Sequence, residues 1–347
     1  MAYTTINKHT AHFNTKLYTG NGGYSNAQTG VGFQPDFTWI KVRNYDSSHA
    51  LFDALRGGTK RLLSNATDAE TNYSGGIQSF DTDGFTVGNG GAVNDNGYNF
   101  VSWNWKAANS SGSSNSNGSI TSTVSANTTA GFSIVKFVGN STSGATVGHG
   151  LGVAPKFIII KSRDTAYSWR SYHASLGATK YIELDANAAA VTASNFMNNT
   201  APTNQVFYLG NGDTPNKNGD NYIAYCFAEI RGYSKIGNYT GTENANGPFV
   251  FTGFKPSIVI IKKHTTSSAQ NWRIIDNKRL GYNPNNYPLY PSDHAAEGTS
   301  ETTIDIVSNG FKLRGTGGAI NSNGTGYIYY AVGQSLVGSN NVPATAR

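Results

Sequence analysis

The sequence predicts an all-β protein: three diverged antiparallel β-sandwich-like repeats in tandem. Three observations carry that prediction. The composition favours turns over charged helices, a proline-led strand motif occurs three times, and Asn-Gly or Asp-Gly dipeptides separate the apolar runs. Charged residues make up 13% of the 347, against about 25% in a typical soluble domain, while Gly reaches 41 and Tyr and Phe are plentiful. Short strands joined by tight turns suit that mixture, and helical bundles do not.

The motif is Gly32-Phe33-Gln34-Pro35-Asp36-Phe37-Thr38-Trp39-Ile40-Lys41, repeated from Gly152 through Pro155 to Lys161 and from Gly253 through Pro256 to Lys262. In each copy six positions separate the Pro from the Lys. Proline is tolerated at the start of a strand, where its missing N–H costs little. The near-continuous β-branched and aromatic run after it predicts a central strand covered on both faces.

Flanking features recur in the same order. Ahead of the proline strand come Lys16 to Gly20, Lys136 to Gly139 and Gly237 to Gly241. After it come Asp53 to Gly57, His173 to Gly177 and Asp276 to Gly281. Each copy closes on an aromatic strand, namely Phe100 to Trp105, Tyr222 to Phe227 and Tyr327 to Val332. Dipeptides such as Asn96-Gly97, Asn218-Gly219 and Asn323-Gly324 supply the positive φ that tight hairpins demand.

These landmarks divide the chain into an N-terminal arm (1–12), a first unit (13–106), a Ser/Asn/Gly-rich linker (107–130), a second unit (131–231), a third unit (232–336) and a C-terminal tail (337–347). The linker reads as a flexible tether, because it has almost no apolar content. Arg231-Gly232-Tyr233-Ser234 joins the second and third units directly, so those two are expected to pack together. The run Asn283-Pro284-Asn285-Asn286-Tyr287-Pro288-Leu289-Tyr290-Pro291 has no counterpart in the other units and reads as a projecting, proline-stiffened loop.

The net charge of +6 is spread among acids without a basic block, so nucleic acid is not an expected partner. No stretch approaches the 18 apolar residues of a membrane helix, and membrane insertion is not expected. The start lacks an apolar signal core, which reads as synthesis in a cytoplasm without export. The single Cys226 leaves no intrachain disulfide framework.

Each chemical motif has a plain alternative. Lys41, Lys161 and Lys262 are read as structural, their stems covering apolar surface while the amines reach the rim. Asp81-Thr82-Asp83-Gly84 resembles half a calcium loop, but a strand begins at once and the further oxygen ligands are missing. Gly20-Asn21-Gly22-Gly23 opens no helix and reads as a hairpin turn rather than a phosphate loop. His9 and His12 lie in a polar arm without a third ligand, and His149 reads as a loop residue ahead of the proline strand. No metal or other cofactor is expected.

A glycosidase needs two carboxylates about 5–10 Å apart. Asp36, Asp53, Glu70, Asp81 and Asp276 are candidates, but Asp53 and Asp276 occupy equivalent repeat positions and read as turn-capping residues. No nucleophile elbow, zinc-protease motif or cysteine signature is present, so no catalytic residue is assigned. Trp103, Trp105, Trp169 and Trp272 could stack on sugar rings, but their strand and repeat positions favour packing.

Residues Thr29 to Arg43 with Asp53-Ala54-Leu55-Arg56-Gly57, Ser79 to Phe85 and Val101-Ser102-Trp103-Asn104-Trp105-Lys106 resemble a domain repeated in bacteriophage virion proteins, especially those of marine phages. The resemblance is close over residues 13–107 and weaker beyond, where the Asp-Gly-Phe and Trp-x-Trp signatures are lost. It implies a non-enzymatic virion protein assembled in the host cytoplasm: a tail-fibre or appendage subunit whose arm docks on the particle and whose loops meet a host-surface glycan. Capsid decoration or a head fibre is the first alternative, and a tail-associated glycan-degrading enzyme the second. Other virion proteins and a homo-oligomer, by analogy with fibres a trimer, are the implied partners.

Overall fold

A computed structural model describes residues 4–265, 269–279, 283–285 and 287–337. Almost all regular structure is antiparallel β, as the composition predicts. Each unit has a main sheet and a small sheet. In the first unit the main sheet places the opening strand Phe13–Thr19 beside the closing strand Asn99–Trp105, then the proline strand Phe37–Val42, then Ala50–Asp53. The second unit repeats this order with Phe132–Val138, Asn221–Phe227, Phe157–Ser162 and Arg170–His173. The third uses Ser234–Thr240, Gly326–Ser335, Phe254–Lys263 and Arg273–Asp276. In the third copy the proline lies inside its strand, at an irregularity in register between Pro256 and Ile258, one of the few places a ladder accepts proline.

The proline strands are buried along their length except at Lys255, and their alternation shows why. Phe37, Trp39, Phe157, Ile159, Ile258 and Ile260 point into one core shared by all three units. Their neighbours Ile40 and Val42, Ile158 and Ile160, and Val259 and Ile261 point into three separate cores beneath the small sheets. Successive strand residues face opposite sides, so a strand between two cores is apolar on both faces, up to the lysine near its end.

The units therefore close into a ring, each contacting both others, and the expected tether is corrected. Residues 107–130 are not a free linker. Ser122–Asn127 pairs onto Phe132–Val138 and Ser113–Asn115 onto Ser122–Asn127, extending the second unit's main sheet. Ile120 and Val124 are buried in that unit's core, and the Asp36 carboxylate accepts the amides of Ala107 and Asn109. Ser and Asn are compatible with an edge strand whose backbone is paired, so polar composition alone does not make a tether.

Two further expectations change. Residues 283–291 do not project where they are described: Leu289 is fully buried in the shared core and bridges Ile274, in the place of the strand that follows in the other units. The arm, described from residue 4, folds back on the chain. Ile6 is buried, and the His9 ring bonds the Gln334 amide oxygen at 2.9 Å and the Ser257 hydroxyl at 2.7 Å. Gly281 and nearly all of the C-terminal tail lie outside the described residues.

Candidate functional site

The residues at repeated positions meet at the seams between units. At the first seam Arg56 donates to Asp53 at 2.5 Å and to Glu70 at 3.0 Å, and the Tyr225 hydroxyl of the second unit donates to Asp53 at 2.7 Å. Arg163 of the second unit closes the network on Glu70 through two donors, at 2.9 and 2.8 Å. The seam between third and first units repeats it. Arg279 bonds Asp276 and Glu297, Trp103 donates its indole N–H to Asp276 at 2.9 Å, and Arg43 bonds Glu297. At the remaining seam the same positions are neutral. His173 faces the Tyr329 carbonyl at 3.2 Å, Leu176 replaces the arginine, and Ala190 replaces the glutamate. One backbone contact survives in all three, from Glu70, Glu297 and Ala190 to Arg163, Arg43 and His264.

Burial opposes ionisation of Glu70 and Asp276, but their arginine partners outweigh it and hold both carboxyls below the ordinary range. Burial, with a smaller push from His264, lowers His173 to about 4, so this ring is neutral at pH 7. Asp53 and Asp276 do cap their turns, each accepting the Arg amide three residues on.

The repeated lysines are structural, but their amines do not reach the rim. All three are fully buried and donate to backbone carbonyls: Lys41 to Val42, Lys161 to Thr67 and Tyr167, and Lys262 to Asn187 and Gln270. Two of them reach into the preceding unit. Desolvation lowers Lys41 and Lys161 to about 8 and Lys262 to about 7.

The tryptophans are core residues, as their repeat positions imply. Trp169 and Trp272 donate across seams to the carbonyls of Leu63 and Glu183, each at 2.8 Å. Asp83 tops a hairpin, its carboxylate accepting the amides of Gly30 and Gly32. His12 pairs with Asn127 rather than with His9, and among the described residues no group of three potential metal ligands occurs. His149 is buried at the end of a small-sheet strand, and its ring faces the Thr203 carbonyl. Asp36, pushed up to about 6 by burial, bonds backbone amides.

One repeated feature escaped the sequence reading. Asn94, Asn216 and Asn321 are fully buried, and each carboxamide pins the loop after the opening strand by accepting the amides of Asn21, Asn140 and Thr242. The signal is the pattern Asn-x-Asn-Gly, of which the Asn-Gly half alone predicts a turn. The same turn explains Gly20, Gly139 and Gly241. A Cβ there would lie 2.1–2.3 Å from the carbonyl oxygens of Asp95, Lys217 and Ser322.

The segment before each of these asparagines also repeats, as Gly88-Asn89-Gly90-Gly91-Ala92-Val93, Gly210-Asn211-Gly212-Asp213-Thr214-Pro215 and Gly315-Thr316-Gly317-Gly318-Ala319-Ile320. In the first unit the Tyr73 ring covers the turn: a Cβ on Gly90 would lie 2.5 Å from it, and the Tyr73 hydroxyl accepts the Ala92 amide at 3.1 Å. In the second unit Asn195 covers it, its carbonyl accepting the Gly212 amide. In the third, no described residue lies within 4 Å of a Cβ on Gly317, and a cleft of about 590 Å³ opens there. Arg273, Glu301, Thr302 and Arg314 line it. Glu301 accepts from Arg273 at 2.7 Å and from the Tyr290 hydroxyl at 2.6 Å, and Arg314 pairs with Asp305 at 3.3 Å.

Fold and contacts together define an all-β protein of three units locked into one ring. Residues 8–335 match the Domain of unknown function (DUF7483), and the chain belongs to that family, which spans all three units. No curated protein and no solved structure matches.

Proposed function

We propose that this chain is a non-enzymatic structural protein of a bacteriophage virion, a tail-fibre or appendage subunit that presents a surface to host glycans. The observation that carries the reading is the use of the repeated polar residues. Asp53, Arg56, Glu70, Lys161, Asp276, Arg279 and Glu297 each contact a neighbouring unit, an arrangement that makes a rigid building block. The resemblance of residues 13–107 to phage virion domains supplies the location. Other virion proteins are its partners, and a homotrimer, assembled in the host cytoplasm, is the fibre-like association.

Immunogold labelling of purified particles tests it. Label on the tail or its appendages supports the reading, label spread over the shell replaces it with a decoration role, and absence from particles refutes both. Light scattering on the purified chain tests the trimer, and a monomeric mass rejects it. Release of reducing ends from host polysaccharide would reject the non-enzymatic assignment.

A further inference from the structure

The cleft at Gly317 sits where the other two units carry an internal plug, and the plug of the first unit indicates what would fit. Tyr73 is a six-membered ring bearing a hydroxyl. Its oxygen accepts the Ala92 amide, and the Arg61 guanidinium lies 4.0 Å from its centroid. Counting from the equivalent glutamates, Glu70-Thr71-Asn72-Tyr73 becomes Glu297-Gly298-Thr299-Ser300 in the third unit, so a small exposed serine replaces the ring. The groups that served the ring have counterparts. Ala319 occupies the position of Ala92 and lines the cleft, and Arg273 and Arg314 supply guanidinium groups.

From this we infer that the third unit binds a neutral hydroxylated ring, a pyranoside, in the cleft bounded by Gly317, Ala319, Arg273, Glu301 and Arg314. The inference rests on the glycan-presenting role proposed above and gives it a location. Both arginines are already paired with carboxylates, so the site offers donors and acceptors without a strong net charge. That balance suits hydroxyl groups better than phosphate or sulfate. Tyr290 and Arg273 hold Glu301 in place while a third of its side chain remains open to solvent, so its acceptor is oriented before a ligand arrives. The apolar floor of Ala319 and Ile320 can take the C–H face of a sugar, and the volume is within the range of small-ligand pockets.

The test is saturation-transfer NMR on the full chain with methyl glycosides of glucose, galactose, mannose and N-acetylglucosamine at millimolar concentration. Gly317→Tyr serves as the blocking variant, since its side chain starts in open space and its backbone is not left-handed. Glu301→Ala removes the acceptor. The expected result is saturation of at least one glycoside, weakened tenfold or more in both variants while their far-UV spectra and melting temperatures match the parent. No saturation of any glycoside, or saturation that persists in both variants, overturns the assignment. A protein that fails this test yet labels phage tails would lose the cleft and keep its structural role. One that binds here yet is absent from particles would keep the cleft and lose the virion.

Discussion

Arg56 is the most informative residue to perturb, because the chain contains its own control. Its side chain is wholly buried and bonds Asp53, Glu70, the carbonyls of Lys60 and Leu51, and the Tyr225 hydroxyl. Arg56→Leu would leave Asp53 fully buried without its cation, and Glu70 nearly buried with Arg163 as its remaining cation. Breaking a buried pair from one side costs about 3–5 kcal/mol. With an unfolding entropy of about 2.1 cal/mol/K per residue, a ring of this length unfolding as one unit has about 0.7 kcal/mol/K, so the melting temperature should fall by about 4–7 °C. The seam between second and third units shows how the cost is avoided: His173, Leu176 and Ala190 occupy the same three positions. The triple variant Asp53→His, Arg56→Leu, Glu70→Ala should therefore recover to within about 2 kcal/mol of the parent, since matched neutral replacements of buried ion networks are often near neutral. Calorimetry and urea titration read both. A single variant that melts within 1 °C of the parent, or a triple variant less stable than the single, would refute the seam account.

Other consequences are as direct. Because burial lowers the folded-state values of Lys41, Lys161 and Lys262 to about 8, 8 and 7, the unfolded chain binds more protons between those values and the ordinary lysine value. Their contribution to stability should thus rise as pH goes from 7 towards 10, and Lys262→Met should flatten the dependence of the urea midpoint on pH; an unchanged slope would show that this amine titrates normally. Asn216→Ala removes the partner of the Asn140 amide and of the Thr142 and Gly210 carbonyls and should destabilise by about 2–4 kcal/mol in urea, with a loss below 1 kcal/mol counting against the pinning role. Broad-specificity proteolysis should leave residues 113–127 uncut until the chain unfolds globally, whereas a flexible tether would be clipped first.

Much of this architecture is local chemistry and was legible without coordinates. Prolines, Asn-Gly turns and β-branched runs impose strands and hairpins through φ, sterics and side-chain alternation, and their threefold recurrence revealed the units and the buried, equivalent positions of Trp169 and Trp272. What a strand packs against is not local. The apolar run Ile158-Ile159-Ile160 says that both faces are covered, but not that one of them meets two other units. Asp53, Lys161 and Glu70 read as a turn residue, a rim residue and a candidate catalytic carboxylate because their partners Tyr225, Thr67 and Arg163 are identified only once the chain has folded. The Ser/Asn/Gly stretch at 107–130 looked unstructured because its backbone pairing with Phe132–Val138 leaves no trace in composition. The cleft at Gly317 shows the same division. The repeated turn is written in local residues, whereas only the packed chain shows that Tyr73 and Asn195 fill the space above two copies and that, among the described residues, no side chain fills it above the third.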